Sequence, residues 1–333
     1  MCTIITIKDV AKAANVSVAT ISRTLNNDKN VSEKTRKHVF EVIEALGYTP
    51  NVLGRNLRVS KTNRILTLIP DLSNAFYSEV IRGIDDFAEK YGYMTMISTT
   101  RGTLELEEKY IAQLFNKNFD GIILTSSEQT AEDLSNNAKK APIVMCCEYK
   151  YETDISAVLV DNRKAEYDAV TMLIEKGHRK IALVTNAISY SANERTKGYI
   201  DALQDHNIPV REEYIIYGGY RYHDGLEAAS RLLHMQERPT AILSISDILG
   251  IAINNYIVSL GMTPGVDIDV FGFDNTTFSN TSTPPINSIS QPAYEIGRTA
   301  MEILLKKIRK IDSKNEVIMK PHIIIDKNTH TVQ

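Results

Sequence analysis

The stretch Thr6-Ile-Lys-Asp-Val-Ala-Lys-Ala-Ala-Asn-Val-Ser-Val-Ala-Thr-Ile-Ser-Arg-Thr-Leu-Asn26 sets two short helical patterns three residues apart, with Asn15, Val16 and Ser17 between them. Thr6 is placed to cap the first helix, and Asp9, three residues on, completes a capping-box-like pair. Ile7, Val10, Ala11 and Ala14 then share one apolar face at helical period. Ser17 caps the second helix, which is expected to bury Ile21 and Leu25 and to turn Val18, Ala19, Ser22 and Arg23 outward. A tight turn between two such helices is a helix-turn-helix, whose second helix enters the DNA major groove by its N-terminal residues.

Working outward, a third helix runs from its cap Ser32 to Leu46, where Gly47 and then Pro50 stop it. Val39, Val42, Ile43 and Leu46 supply the apolar stripe that a three-helix module needs. Residues 1–61 carry 10 Lys/Arg against 5 Asp/Glu, a balance of +5, whereas the remainder carries 28 against 36, or −8. A basic head on an acidic body confines phosphate neutralisation to the head. Val18 and Ala19 are small and apolar, so they can meet thymine methyl groups but cannot hydrogen-bond a base edge. Arg23, one turn beyond Ala19 on the same face, is long enough to fork onto a guanine. Thr20, Ser22, Asn30 and Thr35 are better placed for phosphates, which position a module without reading sequence. Arg36 is either a phosphate contact or a solvated charge.

At 333 residues the chain holds such a module plus a body large enough for two core-forming lobes. Hydrophobic content of 43% and charged content of 24% are those of an ordinary globular protein and exclude global disorder. No apolar run reaches the roughly 18 residues that a membrane span requires. The N-terminus lacks a basic segment followed by an apolar one, so no secretion signal is read. Cys2, Cys146 and Cys147 form neither a metal-ligand spacing nor a disulfide framework; the last two sit in the apolar run Pro142-Ile-Val-Met-Cys-Cys147, read as a buried strand. The expectation is a cytoplasmic protein without membrane contact, metal or cofactor.

From Arg64 the pattern changes to strands alternating with amphipathic helices. Strands are expected at 65–69, 94–98, 121–125 and 143–147, with helices at 76–91, 104–117 and 130–139 between them. The alternation then begins afresh, with strands at 157–160, 181–185, 214–217, 241–245 and 270–273 and helices at 164–176, 193–206, 223–233 and 249–260. A long helix at 293–311 and one terminal strand near 317–325 complete the pattern. Strict alternation implies parallel sheets covered on both faces, and running it twice implies two doubly wound lobes. Ligands of such lobes sit at the carboxyl ends of the strands, so two facing lobes make a cleft. The expected architecture is a small all-α helix-turn-helix domain followed by α/β, two doubly wound parallel-sheet lobes of periplasmic-binding-protein type. Its divisions are 1–49 for the DNA module, 50–63 for a connecting segment and 64–333 for the body. Within the body, lobe 1 takes about 64–160 and 292–325, and lobe 2 about 161–291.

With reader and lobes in place, the chain resembles the lactose-repressor/galactose-repressor (LacI/GalR) family of bacterial transcription regulators over residues 5–327. The resemblance rests on Thr6-Ile-Lys-Asp-Val-Ala, Val16-Ser-Val-Ala-Thr-Ile-Ser-Arg23, Val31-Ser-Glu-Lys-Thr-Arg36 and Leu46-Gly-Tyr-Thr-Pro-Asn51. In the body it rests on Pro70-Asp-Leu-Ser-Asn-Ala-Phe-Tyr77, Asp120-Gly-Ile-Ile123, Gly177-His178, Glu194-Arg-Thr-Lys-Gly198, Ser246-Asp247, Gly272-Phe-Asp274 and Ser290-Gln-Pro292. It implies a homodimer, double-stranded operator DNA with dyad symmetry, and a small effector in the cleft. By position in the motif, Val18, Ala19 and Arg23 are the family's specificity residues, and Ser17 joins the DNA-binding set.

Residues 50–58 match the family's hinge helix, which at eight or nine residues is too short to persist alone. Leu57 matches its minor-groove wedge, and Asn51, Arg55 and Arg58 join the DNA-contacting set. Gly54 departs from the pattern, where alanine is more usual, at a helix cost of about 0.8–1 kcal/mol. The resemblance also implies a pocket. Phe76 and Tyr77 form an aromatic wall, and Glu148 offers a carboxylate at the end of the Cys-Cys strand. Arg195 and Asp274 are polar clamps, Tyr220 is a stacking aromatic, and Ser246 with Asp247 stands at another strand end. Such a set suits a sugar, a nucleoside or a purine. His178 reads as structural. Two alternatives remain within this architecture: a catabolite-control type of regulator with a phosphorylated carrier protein as corepressor, and an extracytoplasmic solute-binding protein. No Gly-x-Gly-x-x-Gly, Gly-x-Ser-x-Gly or His-Glu-x-x-His motif points to an enzyme.

Overall fold

The computed structural model describes residues 5–25, 28–48, 61–311, 315–320 and 322–327. The expectations for Asn51, Gly54, Arg55, Leu57 and Arg58 therefore lie outside the described residues, as does Cys2. The chain divides into two compact units, Met1–Lys61 and Thr62–Gln333.

The first unit is three helices, α1 (Ile7–Ala13), α2 (Val18–Leu25) and α3 (Glu33–Leu46). Val10, Ala11, Ala14, Ile21, Val39 and Tyr48 form its core. Asn15 makes the turn between α1 and α2 with φ +51°, a left-handed conformation that asparagine tolerates better than most residues. Gly47 ends α3 the same way at φ +61°, and Tyr48 N–H returns to the Ile43 carbonyl at 3.0 Å. One expectation changes here. Thr24, not Leu25, is the fully buried partner of Ile21. Its hydroxyl is satisfied by the Thr20 carbonyl at 2.9 Å, which lets a polar side chain face the core.

The second unit contains two six-stranded sheets. In lobe 1, β1 (Arg64–Ile69) is followed by α4 (Phe76–Lys90), β2 (Met94–Thr99), α5 (Leu104–Phe115), β3 (Gly121–Leu124), α6 (Ala131–Lys140), β4 (Ile143–Cys146) and β5 (Ala157–Val160). Lobe 2 begins with α7 (Asn162–Glu175), β6 (Ile181–Thr185), α8 (Tyr190–Asp205), β7 (Ile215–Tyr217), α9 (Tyr222–Leu233) and β8 (Ala241–Ser244). It continues through α10 (Asp247–Ser259), β9 (Asp269–Asp274), α11 (Thr277–Thr281) and β10 (Asn287–Ser290). The chain then returns to lobe 1 with α12 (Ala293–Ile308) and ends in β11 (Val317–Lys320) and β12 (Ile323–Ile325).

Strand order is β11-β5-β4-β3-β1-β2 in one sheet and β12-β10-β9-β8-β6-β7 in the other. Every pairing is parallel except β10 with β12. The near-continuous apolar runs of β3, β4, β5 and β6 are buried throughout, as strands covered on both faces require. The segment 317–325, read as one terminal strand of lobe 1, is two strands in different sheets. Its first part adds to β5 and its second crosses to β10 in lobe 2. The chain thus passes between lobes three times, after β5, after β10 and after β11. Each lobe also joins helices at backbone distance. A Cβ on Gly297 of α12 would lie 1.9 Å from the Val80 carbonyl oxygen of α4, and one on Gly198 of α8 would lie 2.1 Å from the Arg163 carbonyl of α7.

Candidate DNA-reading face and effector cleft

In the helical module, Asp9 accepts from the Thr6 N–H at 2.8 Å and from its hydroxyl at 2.7 Å, and these bonds hold the carboxyl below its ordinary range. Ser17 caps α2 by accepting the Thr20 N–H at 3.1 Å, while the two hydroxyls pair at 2.9 Å. The cap fixes where α2 starts, and so which residues its first turn presents. Ala19 and Arg23 are exposed and Ser22 is half-buried; Val18 is half-buried too, packing one side against the core. Thr35 belongs to the α3 cap, its N–H donating to Ser32 Oγ at 3.2 Å. Asn30 shapes the preceding turn, donating to Asp28 Oδ1 from both its backbone (2.9 Å) and Nδ2 (3.0 Å). Arg36 is not a freely solvated charge. It is mostly buried, and Nη2 donates to the Asp28 carbonyl at 2.9 Å and Nη1 to that of Thr24 at 3.5 Å. It ties the end of α2 and the following turn to α3.

In the body, the carboxyl ends of the strands of both lobes meet around Tyr77 and Arg195. Burial pushes the Tyr77 phenol well above its usual proton affinity, and Cys147, Glu148, Tyr220 and Asp274 act on it in the same direction. Phe76 lies beneath, its ring centroid 5.6 Å from that of Tyr77. Arg195 is buried; Nε donates to Asn162 Oδ1 at 2.9 Å and Nη1 to the Ile245 carbonyl at 2.6 Å. Its guanidinium carbon lies 3.4 Å from the Phe273 ring centroid, a stacked cation–π contact. Asp274, at φ +109°, takes Gln291 Nε2 at 2.6 Å. Burial pushes its carboxyl up to about 8, against the opposing pull of Arg195.

Glu148 and Asp247 take different parts from those expected of free carboxylates. Glu148, in lobe 1, accepts the Ser191 N–H at 2.9 Å and the Ser191 hydroxyl, both on the first turn of α8 in lobe 2. A carboxylate at a helix N-terminus is favoured by the helix dipole, and burial raises its proton affinity. Asp247 spends one oxygen on the Thr276 N–H at 2.5 Å and the other on the Ser288 hydroxyl at 2.6 Å, joining α10 to the β9–α11 loop and to β10. Tyr220 is 45% exposed and its hydroxyl pairs with Ser189 Oγ at 2.8 Å. Ser246 is buried and its Oγ has no hydrogen-bond partner among the described residues. His178 is structural, bridging Thr240 at 2.9 Å and Asp269 at 3.1 Å.

Several site residues carried no signal in the sequence reading. Asn186 follows β6; its Oδ1 takes the N–H groups of Ile188 (2.8 Å) and Ser189 (3.1 Å), while buried Nδ2 lies beside Tyr220 without a sound hydrogen bond. Its place at a strand's carboxyl end was the available clue. Tyr149 and Tyr151 of lobe 1 meet Tyr190 of lobe 2 edge-on, at 5.6 and 4.9 Å. The Tyr151 hydroxyl also donates to Glu194, which Lys197 contacts at 2.6 Å. Glu166 of α7 is fully buried with neither carboxyl oxygen hydrogen-bonded among the described residues, and burial pushes it up to about 8.

A helix-turn-helix followed in the same chain by a two-lobed, strand-end cleft defines a ligand-responsive DNA-binding regulator. Comparison agrees. The model for bacterial regulatory proteins of the lacI family matches residues 6–51, and that for periplasmic binding proteins and the sugar binding domain of the LacI family matches 62–328. The chain belongs to the lacI family of bacterial regulatory proteins. Catabolite control protein A of Priestia megaterium is 38% identical over 96% of this chain and 97% of its own length. The HTH-type transcriptional repressor CytR of Escherichia coli K12 is 34% identical, covering 91% of this chain and 90% of its own length. A crystal structure of the Lac repressor dimer, bound to operator and the anti-inducer ONPF, superposes with a TM-score of 0.88 at 25% identity and 98% coverage of both chains. No helix among the described residues is long and apolar enough to cross a membrane.

Proposed function

We propose that this chain is a cytoplasmic transcriptional repressor, acting as a homodimer on dyad operator DNA, whose operator affinity is set by a small effector held between its lobes. One observation carries the reading: the same chain joins a capped recognition helix with exposed Ala19 and Arg23 to a cleft where residues of both lobes act on one phenol. Val18, Ala19 and Arg23 read bases. Ser17, Thr20, Ser22, Asn30, Thr35, Asn51, Arg55 and Arg58 serve the backbone, and Leu57 the minor groove. Phe76, Tyr77, Glu148, Arg195, Tyr220, Ser246, Asp247 and Asp274 form or brace the effector site, which binds rather than catalyses.

A dimer is supported by the edge strand β2, whose Met94, Met96 and Ile97 are 62, 41 and 46% exposed, and by the Lac repressor likeness. Effector binding shifts the lobe arrangement only through differential affinity for the two arrangements. The test is fluorescence anisotropy with promoter fragments, beginning with the DNA upstream of the chain's own gene, at fixed salt. A sequence preference is expected that Arg23→Ala reduces at least tenfold; a wild-type chain with no preference sinks the reading. The 38% likeness to catabolite control protein A favours a second reading, in which a phosphorylated carrier protein is the corepressor. Pull-down with the phosphorylated and unphosphorylated carrier separates the two.

A further inference from the structure

The body is acidic as a whole, 28 Lys/Arg against 36 Asp/Glu, yet its bases are not spread evenly. In lobe 1 the helices run back against parallel strands, so helix C-termini and strand N-termini share one end of the lobe. That end comprises residues 62–64, 87–93, 113–120, 137–142, 154–156, 306–311 and 315–316, and it carries nine Lys/Arg against four Asp/Glu. Its pieces are tied together. Asp120 accepts the Thr62 and Asn63 N–H groups at 2.8 and 2.9 Å, and Asn315 Nδ2 donates to Asp154 Oδ1 at 2.7 Å. Arg309, just past α12, lies over the ring of Tyr91, just past α4, at 5.0 Å. Lys90, Lys117, Lys139, Lys140, Arg309 and Lys310 are exposed there and make no ion pair among the described residues.

Helix dipoles favour bases at helix C-termini, but lobe 2 shows that this does not account for the excess. Among α7, α8, α9 and α10, only α9 has a base in its last turn, Arg231. Residues 172–180, 202–214, 230–240, 256–268 and 326–327, at the corresponding end of lobe 2, carry seven bases and seven acids. Three of those bases are paired, Lys176 with Asp326 and both Lys180 and Arg211 with Glu237. The chain also enters lobe 1 at its basic end, since β1 starts at Arg64, three residues after the helical unit closes at Lys61. We propose that this end of lobe 1 is a second phosphate-contacting surface, lying against the backbone of the same duplex that the helical unit reads. This rests on the reading of that unit as the DNA reader. Exposed bases on long stems neutralise phosphates without reading sequence, so the surface adds affinity to every sequence alike. The tether makes the second contact intramolecular, which lets charges of little value singly act together.

Binding of the full-length chain to fluorescent duplexes is measured by anisotropy from about 50 to 200 mM salt. The duplexes are the DNA upstream of the chain's own gene and a scrambled duplex of equal length. Lys139→Gln, Lys140→Gln, Arg309→Gln and Lys310→Gln are combined in one variant. Lys180→Gln, Arg211→Gln, Arg231→Gln and Arg238→Gln are combined in a control that loses the same charge from lobe 2. Each phosphate contact adds about 0.9 to the slope of log affinity against log salt. The lobe 1 variant should be shallower by at least about 1.8, as two lost contacts require, and about tenfold weaker at the lowest salt. The loss should be equal on both duplexes, so that any preference between them is kept, and the control should match wild type in slope. An unchanged slope in the lobe 1 variant, or an equal loss in the control, overturns the proposal and leaves the helical unit as the reader. A wild-type chain that binds neither duplex overturns that reading and this proposal with it.

Discussion

Replacing Glu166 with methionine should stabilise the body of the protein, and the gain should grow with pH. Glu166 is fully buried, both carboxyl oxygens are without a hydrogen-bond partner among the described residues, and burial raises its proton affinity from 4.5 to about 8. A raised acid keeps its proton in the folded chain and loses it in the unfolded chain above pH 4.5. Its contribution is therefore fully present below pH 4.5 and is lost as pH rises to about 8. Each pH unit within that window removes about 1.4 kcal/mol, so the loss at pH 7 is about 3 kcal/mol. Methionine keeps the length of the side chain and the helix propensity and carries no charge to desolvate. For a body of this size, about 3 kcal/mol corresponds to roughly 6–12 °C in melting temperature. Thermal melts of both proteins at one concentration, from pH 5 to 9, give the difference curve directly. Subtraction removes Asp274, which titrates in the same window in both. The difference should be small at pH 5, climb to about pH 8 and then level. A difference that stays constant with pH would refute the assignment of a buried, uncharged acid.

Four further outcomes follow from the same geometry. Ser17→Ala removes the cap of α2 and should cost about 1 kcal/mol of module stability, read as a lower melting point of the DNA-binding unit; an unchanged melt tells against the cap. Arg36→Met leaves the Thr24 and Asp28 carbonyls without their charged donor and should cost about 1.5–3 kcal/mol, weakening all DNA sequences alike, whereas a loss confined to one operator would make Arg36 a reader. Gly297→Ala puts a Cβ 1.9 Å from the Val80 carbonyl oxygen; the helices must separate, and a soluble, normally melting variant would contradict that packing. Ser191→Ala deletes one of the two bonds from α8 to Glu148 and should speed alkylation of Cys147, which is 8% exposed beside the cleft; equal rates would mean that this bond does not help hold the lobes.

What the sequence made legible was whatever rests on period and on local caps. Ser17, Ser32 and Gly47 announce helix ends by chemistry that acts within three residues, and apolar runs such as Ile143–Cys146 announce covered strands. The strand Asn287–Ser290 escaped because its residues, Asn-Ser-Ile-Ser, are polar. It is a strand because its backbone pairs with β9 and β12, and its polar side chains are accommodated by partners distant in the chain: Asp247 takes the Ser288 hydroxyl and Asn287 Oδ1 accepts the Lys327 N–H at 2.7 Å, across 40 residues or more. The splitting of 317–325 escaped for a similar reason, since both halves are apolar and the sheet each joins is a tertiary choice. In the cleft, the sequence located strand ends but not who occupies whom. Nothing local says that Glu148 is engaged by Ser191, that Asp247 braces the β9–α11 loop, or that Arg36 is spent on carbonyls. Glu166 is the extreme case, one of three acids in a mixed helix and the buried one, on the helix that α8 approaches closely at Gly198.

The contacts that cross between lobes bear on how a ligand could act. Tyr190, Ser191, Glu194 and Lys197 recur at the spacing of one face of α8, and all four engage residues 148–151 of lobe 1. These bonds hold the two lobes together through protein atoms alone. An effector therefore does not have to supply the whole free energy of closure; it has only to favour one lobe arrangement by more than it favours the other. The Lys197–Glu194 pair lies within α8 and does not itself cross, so the bridge is carried mainly by the buried Glu148–Ser191 bonds and the edge-on tyrosines. A bridge of a few kcal/mol is of the size that ligand binding can reinforce or oppose, and three covalent crossings between the lobes turn either outcome into a change of angle instead of a separation.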